Sequence, residues 1–181
     1  MARPRKRSVV LYADQSDVGL YPPVGAQWGV PGKQDKTRTK GRNAKVYLIG
    51  ALDAHTGQLY AGFWQRKNSL AWVDFLRELL KARPKGWIHL IVDNYRVHKS
   101  KLTLKFLAEE GQRIRLHFLP TYSPWLNRIE GTWRVIKGRA GTNAWRDDLD
   151  QLTAEYQATL KAMNTCILQP SKCFLLEQGI T

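Results

Sequence analysis

WIHLIVDNYRVHKSKLTLKFLAEEGQRIRLHFLP, Trp87–Pro120, decides the fold. It opens on a short apolar run, Trp87–Asp93, which reads as a buried strand ending at an acid. Ser100 then starts a helix carrying Leu102, Leu104, Phe106 and Leu107, and Gly111 ends it. Ile114–Pro120 is a second apolar run of strand length. Strand, helix and strand in this order suggest a sheet with helices packed on its faces.

The flanking segments extend the pattern. Upstream, Ser8–Asp14 (SVVLYAD) is another buried strand ending at an acid. Lys45–Asp53 and Gln58–Trp64 read as a hairpin joined by AHTG, with Gly57 in the turn. Asn68 or Ser69 caps a helix with Leu70, Val73, Leu76, Leu79 and Leu80 on one face. Residues 18–45, rich in Gly, Pro and Lys, read as a long surface loop of the kind that is usually functional. Downstream, LPTYSPWLNRIEGTWRVIK (Leu119–Lys137) begins as a loop and continues as a helix with Leu126, Ile129, Trp133 and Ile136 on its apolar stripe. A fourth helix, Asp147–Asn164, carries Leu149, Leu152, Tyr156, Leu160 and Met163 on one face, and Asp147, Asp148 and Asp150 at its N-terminal end. The expected fold class is α/β, a five-stranded mixed sheet flanked by helices.

In such sheets the carboxyl ends of the parallel strands form the functional edge. Asp14 and Asp93 fall at two such ends, and Glu130 lies at the edge of the buried stripe of the third helix. Taken singly, an Asp after a strand caps the next turn and a helical Glu is solvated. Together they stand at three independently expected places. Three carboxylates with few other donors suit Mg²⁺ or Mn²⁺, which prefer oxygen ligands and bind substrate phosphate. Two such ions can serve both the attacking and the leaving oxygen of a phosphodiester.

Charge points to the same class of substrate. The 181 residues hold 29 Lys and Arg against 15 Asp and Glu, a net charge of +14 with pI near 10.0. Residues 1–45 alone hold ten Lys and Arg against three Asp. A chain this basic attracts polyanions, and the aromatics among its cations (Tyr21, Trp28, Trp64, Tyr95, Tyr122, Trp125, Trp145) suit nucleic acid. A hydrophobic content of 43% and a charged content of 24% exclude a disordered chain. No apolar run reaches the length of a membrane span. The N-terminus lacks the pattern of a signal peptide, so a cytoplasmic protein is expected. Cys166 and Cys173 lack partners of zinc-site spacing and read as reduced thiols.

LYADQSDVGLYP, IVDNYRVHKSK and LPTYSPWLNRIEGTWRVIK resemble the three catalytic blocks of the bacterial insertion-sequence transposases related to mariner. The resemblance covers roughly Ser8 to Arg139, and YSPWLNRIEGTW is its most specific part. The 36 residues between Asp93 and Glu130 also suit that family. These proteins are DDE endonucleases with a ribonuclease H-like fold. The resemblance implies that Asp14, Asp93 and Glu130 are the catalytic metal ligands. It also implies cut-and-paste transposition: hydrolysis at transposon ends and strand transfer into target DNA, typically at TA. This sequence has Gln15 where Glu is common, Arg128 where Pro is common, and Gly131 directly after Glu130.

The expected organisation is a single catalytic domain over 1–181, with a core at about 8–140 and a C-terminal helix at about 147–165. Relatives carry helix-turn-helix segments before the first strand, and none fits before Ser8. A separate N-terminal DNA-binding subunit is therefore an expected partner, beside DNA itself and a second copy of the chain in a homodimer on DNA. Asn127, Arg134, Lys137, His98 and Tyr122 are candidate DNA-binding residues. Asn127, Arg134 and Lys137 share a helical face with Glu130. His98 can alternatively orient the loop after Asp93, and Asn127 can orient Glu130. Rival functions are another ribonuclease H-like nuclease and a non-catalytic DNA-binding derivative.

Overall fold

The computed structural model describes residues 8–21, 44–121, 123–141 and 146–168. Most of the expected loop at 18–45, together with Tyr122, Trp145 and Cys173, lies outside them. The described strands are β1 (Val9–Gly19), β2 (Lys45–Asp53), β3 (Leu59–Trp64), β4 (Ile88–Val92) and β5 (Ile114–Phe118). The helices are α1 (Ser69–Ala82), α2 (Lys101–Glu109), α3 (Ile129–Gly141) and α4 (Leu149–Leu168). Short 3-10 turns cover Arg96–Lys99 and Pro124–Leu126.

The strands form one sheet in the order β3-β2-β1-β4-β5. β4 runs parallel to β1 on one side and to β5 on the other. β2 and β3 form the expected antiparallel hairpin. Its turn has a specific builder. Asp53, buried at the end of β2, accepts hydrogen bonds from the backbone N–H groups of His55 (2.9 Å) and Thr56 (3.0 Å). Gly57 follows at φ 75°, a backbone that side-chain-bearing residues rarely adopt. The five-stranded mixed sheet flanked by helices is thus as expected.

By internal contacts the chain divides into two compact units. The first comprises residues 1–16 and 47–131, and the second 17–46 and 132–181. The core of the first unit joins Val9, Leu11 and Ala13 of β1 with Ile88, Leu90 and Val92 of β4, Ile114 of β5, and the inner faces of α1 and α2. Asn68 caps α1 through its side-chain oxygen on the Ala71 N–H, and Ser100 caps α2 on the Thr103 N–H. In the second unit, α3 buries Trp133, Ile136 and Ala140, and α4 buries Leu152, Tyr156 and Leu160. Beside them Arg146 bonds Glu155 and the Ala140 carbonyl oxygen.

Some expected apolar stripes are displaced. Leu70 is 62% exposed, and the buried face of α1 is Trp72, Phe75, Leu76 and Leu79 with Ala71 and Val73. On α2, Leu102 and Leu104 are exposed while Thr103 and Phe106 are buried. Thr103 is accommodated because its hydroxyl donates to the Val97 carbonyl oxygen at 2.7 Å. Leu126 is exposed on its 3-10 turn rather than part of the α3 stripe. Among the described residues no helix is long and apolar enough to cross a membrane.

Candidate active site

β1 is longer than its apolar run suggests, so Asp14 lies inside the strand rather than at its end. The functional edge is still at Asp14, because the β1–β4 ladder stops at Tyr12 and Ile91. Asp14 follows two residues later on β1, and Asp93 follows directly after β4. A cleft of about 330 Å³ opens at this edge, and Asp14, Asp93, Asn127 and Glu130 all line it. The three expected acids therefore face one space within the first unit.

Asp93 is held by two donors. Its Oδ1 accepts from the backbone N–H of Tyr95 at 3.0 Å and lies 3.1 Å from His98 Nε2. Nε2 therefore carries the imidazole proton in this contact. Among the described residues Oδ2 takes no hydrogen bond, so one oxygen fixes the side chain and the other is left for a further partner. The His98 hydrogen bond holds the Asp93 carboxyl below its ordinary value of 3.8 against the opposing effect of burial, with help from the Tyr95 N–H and the charges of His98 and Lys67.

A depressed carboxyl contributes stability that is present above its unfolded pKa and lost as pH falls through the folded value. His98→Ala should therefore raise the Asp93 pKa toward its ordinary value, so that the variant lacks this contribution above about pH 4 and loses less stability than wild type on the acid limb below it. A carboxyl carbon NMR titration of Asp93 checks this. An unchanged midpoint would show that the Tyr95 N–H and the Lys67 charge set the shift without His98.

Asn127 ties α3 to the same edge. It is 4% exposed, and its Nδ2 donates to the Ala13 carbonyl oxygen at 3.3 Å, one residue before Asp14. Its own carbonyl oxygen accepts from the Glu130 N–H at 3.1 Å. Asn127 thus holds the first turn of α3, and with it Glu130, against β1. His98 is 1% exposed, with its ring edge-on to Trp72 at 4.3 Å. Burial at these two residues fits orientation of the acids, and Asn127 also lines the cleft. Arg134 and Lys137 lie farther along α3, in the second unit, and Arg134 is exposed.

Gln15 is 6% exposed, and neither polar atom of its side chain has a partner among the described residues. Glu here would bury a second charge beside Asp14, so the amide is the less costly choice. Gly131 has open space where a Cβ would stand. Gly131→Ala should therefore stabilise the protein by up to about 1 kcal/mol through helix propensity alone. Thermal denaturation checks it, and a destabilised variant would reveal a contact that the open space does not suggest.

Sequence reasoning missed the brace beneath the cleft. Asn94 donates to the Leu119 carbonyl oxygen at 2.6 Å and accepts from Lys99 Nζ at 2.7 Å. Lys99 in turn lies over the Phe118 ring. This joins the loop after Asp93 to the start of the loop that leads to Glu130. The available signal was position, because Asn94 immediately follows the acid. Trp125 is 76% exposed near the cleft.

The donor chemistry fits Mg²⁺ or Mn²⁺, since three carboxylates face one cleft. As the side chains stand, however, no group of three or more His, Cys, Asp or Glu among the described residues is gathered closely enough to hold an ion. The expected sharing of an ion by all three acids therefore requires the carboxylates to draw together. Mutual repulsion opposes that movement, and a cation relieves it.

The family model described as DDE superfamily endonuclease matches residues 9–153. The Insertion element IS630 uncharacterized 39 kDa protein of Shigella sonnei is 38% identical over 128 residues, or 70% of this chain and 37% of that protein. The Mos1 transposase paired-end complex with left transposon end matches with a TM-score of 0.57 at 15% identity, over 88% of this chain and 53% of that one. A chain of the simian T-cell lymphotropic virus intasome in complex with PP2A regulatory subunit B56 gamma matches with a TM-score of 0.58 at 15% identity, over 84% and 51%. The chain spans little more than a third of the length of the curated relative and about half of these two solved chains. At such identities the solved structures speak for the fold, and the expected ribonuclease H-like fold agrees with them.

Proposed function

The chain belongs to the DDE superfamily endonuclease family, and from that membership we propose that it is the catalytic domain of a cut-and-paste DNA transposase. The observation that carries the reading is the cleft at the carboxyl edge of the parallel strands, which Asp14, Asp93 and Glu130 line. The IS630 relative and the Mos1 fold support the same reading.

In this proposal Asp14, Asp93 and Glu130 hold Mg²⁺ or Mn²⁺, as two ions. Such ions sharpen an attacking oxygen and stabilise a leaving one. The protein's own contribution is placement. His98 and the Tyr95 N–H fix one oxygen of Asp93, and Asn127 fixes the start of the helix that bears Glu130. Water attacks a phosphodiester at the transposon end and frees a 3′-hydroxyl. That hydroxyl then attacks a phosphodiester of target DNA, and the target strand leaves with its own 3′-oxygen. The assembly we propose is a homodimer on DNA, with sequence reading supplied by an N-terminal DNA-binding part. The exposed Arg134, with Lys137 one turn on, contacts the DNA backbone.

The test is a strand-transfer assay with labelled transposon-end DNA, run with and without Mg²⁺ or Mn²⁺. Cleavage and joined products should require the added metal. Equal cleavage in excess chelator would overturn the proposal.

A further inference from the structure

We propose that Lys67 is a DNA-phosphate-binding residue of this site, recognising a backbone phosphate at the rim of the acid-lined cleft. The inference rests on the nuclease reading above and extends it to a residue outside the three catalytic blocks.

Lys67 stands between β3 and α1, immediately before the cap residue Asn68. It reaches across to two segments of the site. Its Nζ lies 3.4 Å from the Gln15 carbonyl oxygen, next to Asp14, and 5.0 Å from the centre of the Tyr95 ring. Tyr95 itself lines the cleft beside Asp93. Lys67 also helps to hold the Asp93 carboxyl low, so its charge is felt at Asp93.

Helix stability does not account for a cation at this position. The N-terminal end of a helix carries partial positive charge, which disfavours a neighbouring lysine. The first turn of α1 contains no acid to offset it. Among the described residues Lys67 makes no ion pair, and its two contacts are a carbonyl oxygen and an aromatic face. Both hold the ammonium group in place without neutralising it. A half-buried, oriented and unneutralised cation beside metal-binding carboxylates matches the requirement of a phosphodiester substrate, whose remaining negative charge needs a partner outside the metal site.

The experiment measures binding of the full chain to duplex DNA by fluorescence anisotropy across a salt series, using Lys67→Met and Lys67→Arg. Met keeps an unbranched aliphatic side chain of similar length and removes the charge. Lys67→Met should bind roughly tenfold more weakly at low salt, equally for end and scrambled DNA. Its log–log salt slope should fall by about 0.9, the loss of one phosphate contact. Lys67→Arg should restore both, and the melting temperatures of all three proteins should agree. A Lys67→Met protein with wild-type affinity and slope overturns the proposal. So does one whose melting temperature falls while its slope stays unchanged, because that marks a purely structural lysine. Asp93→Asn in the same series separates this inference from the nuclease reading. Absence of metal-dependent cleavage by the wild-type chain, with Asp93→Asn no different from it, would refute the nuclease reading, whereas the Lys67 inference stands or falls on the binding slopes.

Discussion

Asp93→Asn should abolish the proposed metal-dependent cleavage of transposon-end DNA, lowering the rate by about 10²–10³-fold or more, as losing an electrostatic group aimed at the reacting atoms does. Asn keeps the shape of the side chain, and its carbonyl oxygen still accepts from the Tyr95 N–H and His98 Nε2 in place of Oδ1. The loop after β4 therefore keeps its conformation. What changes is the group facing the cleft, from a carboxylate oxygen to an amide that binds a hard cation poorly. Asp14→Asn and Glu130→Gln should do the same, because each removes one charged donor from the same cleft. DNA affinity should hold or improve, since no cation is lost from a chain of net charge +14. For Asp93→Asn the melting temperature without metal should fall, because the carboxylate that His98 and the Tyr95 N–H hold in its charged form contributes to folding. A Glu130→Gln protein, purified free of contaminating nuclease, that cleaves at the wild-type rate with Mg²⁺ would remove Glu130 from the site.

The acids were legible because two kinds of periodicity located them independently. Apolar runs of strand length ended at Asp14 and Asp93, and a stripe of helical period flanked Glu130. The sheet followed from the same runs, with one instructive exception. β1 continues to Gly19 through polar residues that no hydrophobic pattern marks. Its extension is held by backbone pairing, visible where the Leu20 N–H meets the Ala44 carbonyl oxygen. The roles of His98 and Asn127 were legible only as alternatives. Sequence gives a residue type and a spacing, whereas burial decides between touching DNA and holding a neighbour. Lys67 and Asn94 were not legible, because each acts through a contact between segments far apart in the chain. Of the stripe expected on α1, Val73, Leu76 and Leu79 are buried and Leu70 is exposed, while Trp72 and Phe75, at the same helical period, complete the buried face. Amphipathic aromatics count as core as readily as leucine once the sheet lies beneath them.

That displaced stripe carries the second large effect. Trp72 is fully buried, tilted against Phe75 at 5.5 Å and edge-on to His98 at 4.3 Å. Truncating a buried Trp to Ala typically costs about 3–5 kcal/mol, because the surroundings close the cavity only in part. Against a total stability of about 5–15 kcal/mol this is a large fraction. For a chain of this size it should lower the melting temperature by on the order of 10 °C. The loss should reach the site as well, since the Trp72 ring backs the imidazole that holds Asp93. With that wall gone, His98 gains room to turn and its hydrogen bond to Asp93 loosens. Trp72→Ala should therefore show a raised Asp93 pKa even at temperatures where the variant is folded. Trp72→Phe keeps an aromatic edge and should recover most of both effects. Chemical denaturation of the three proteins, paired with the Asp93 titration, separates packing from positioning. A Trp72→Ala protein within about 1 kcal/mol of wild type would mean that the site collapses around the vacancy, against the range expected for such truncations. A destabilised variant with an unshifted Asp93 would mean that His98 is held by the loop after β4 alone, and that α1 supports the fold without tuning the acid.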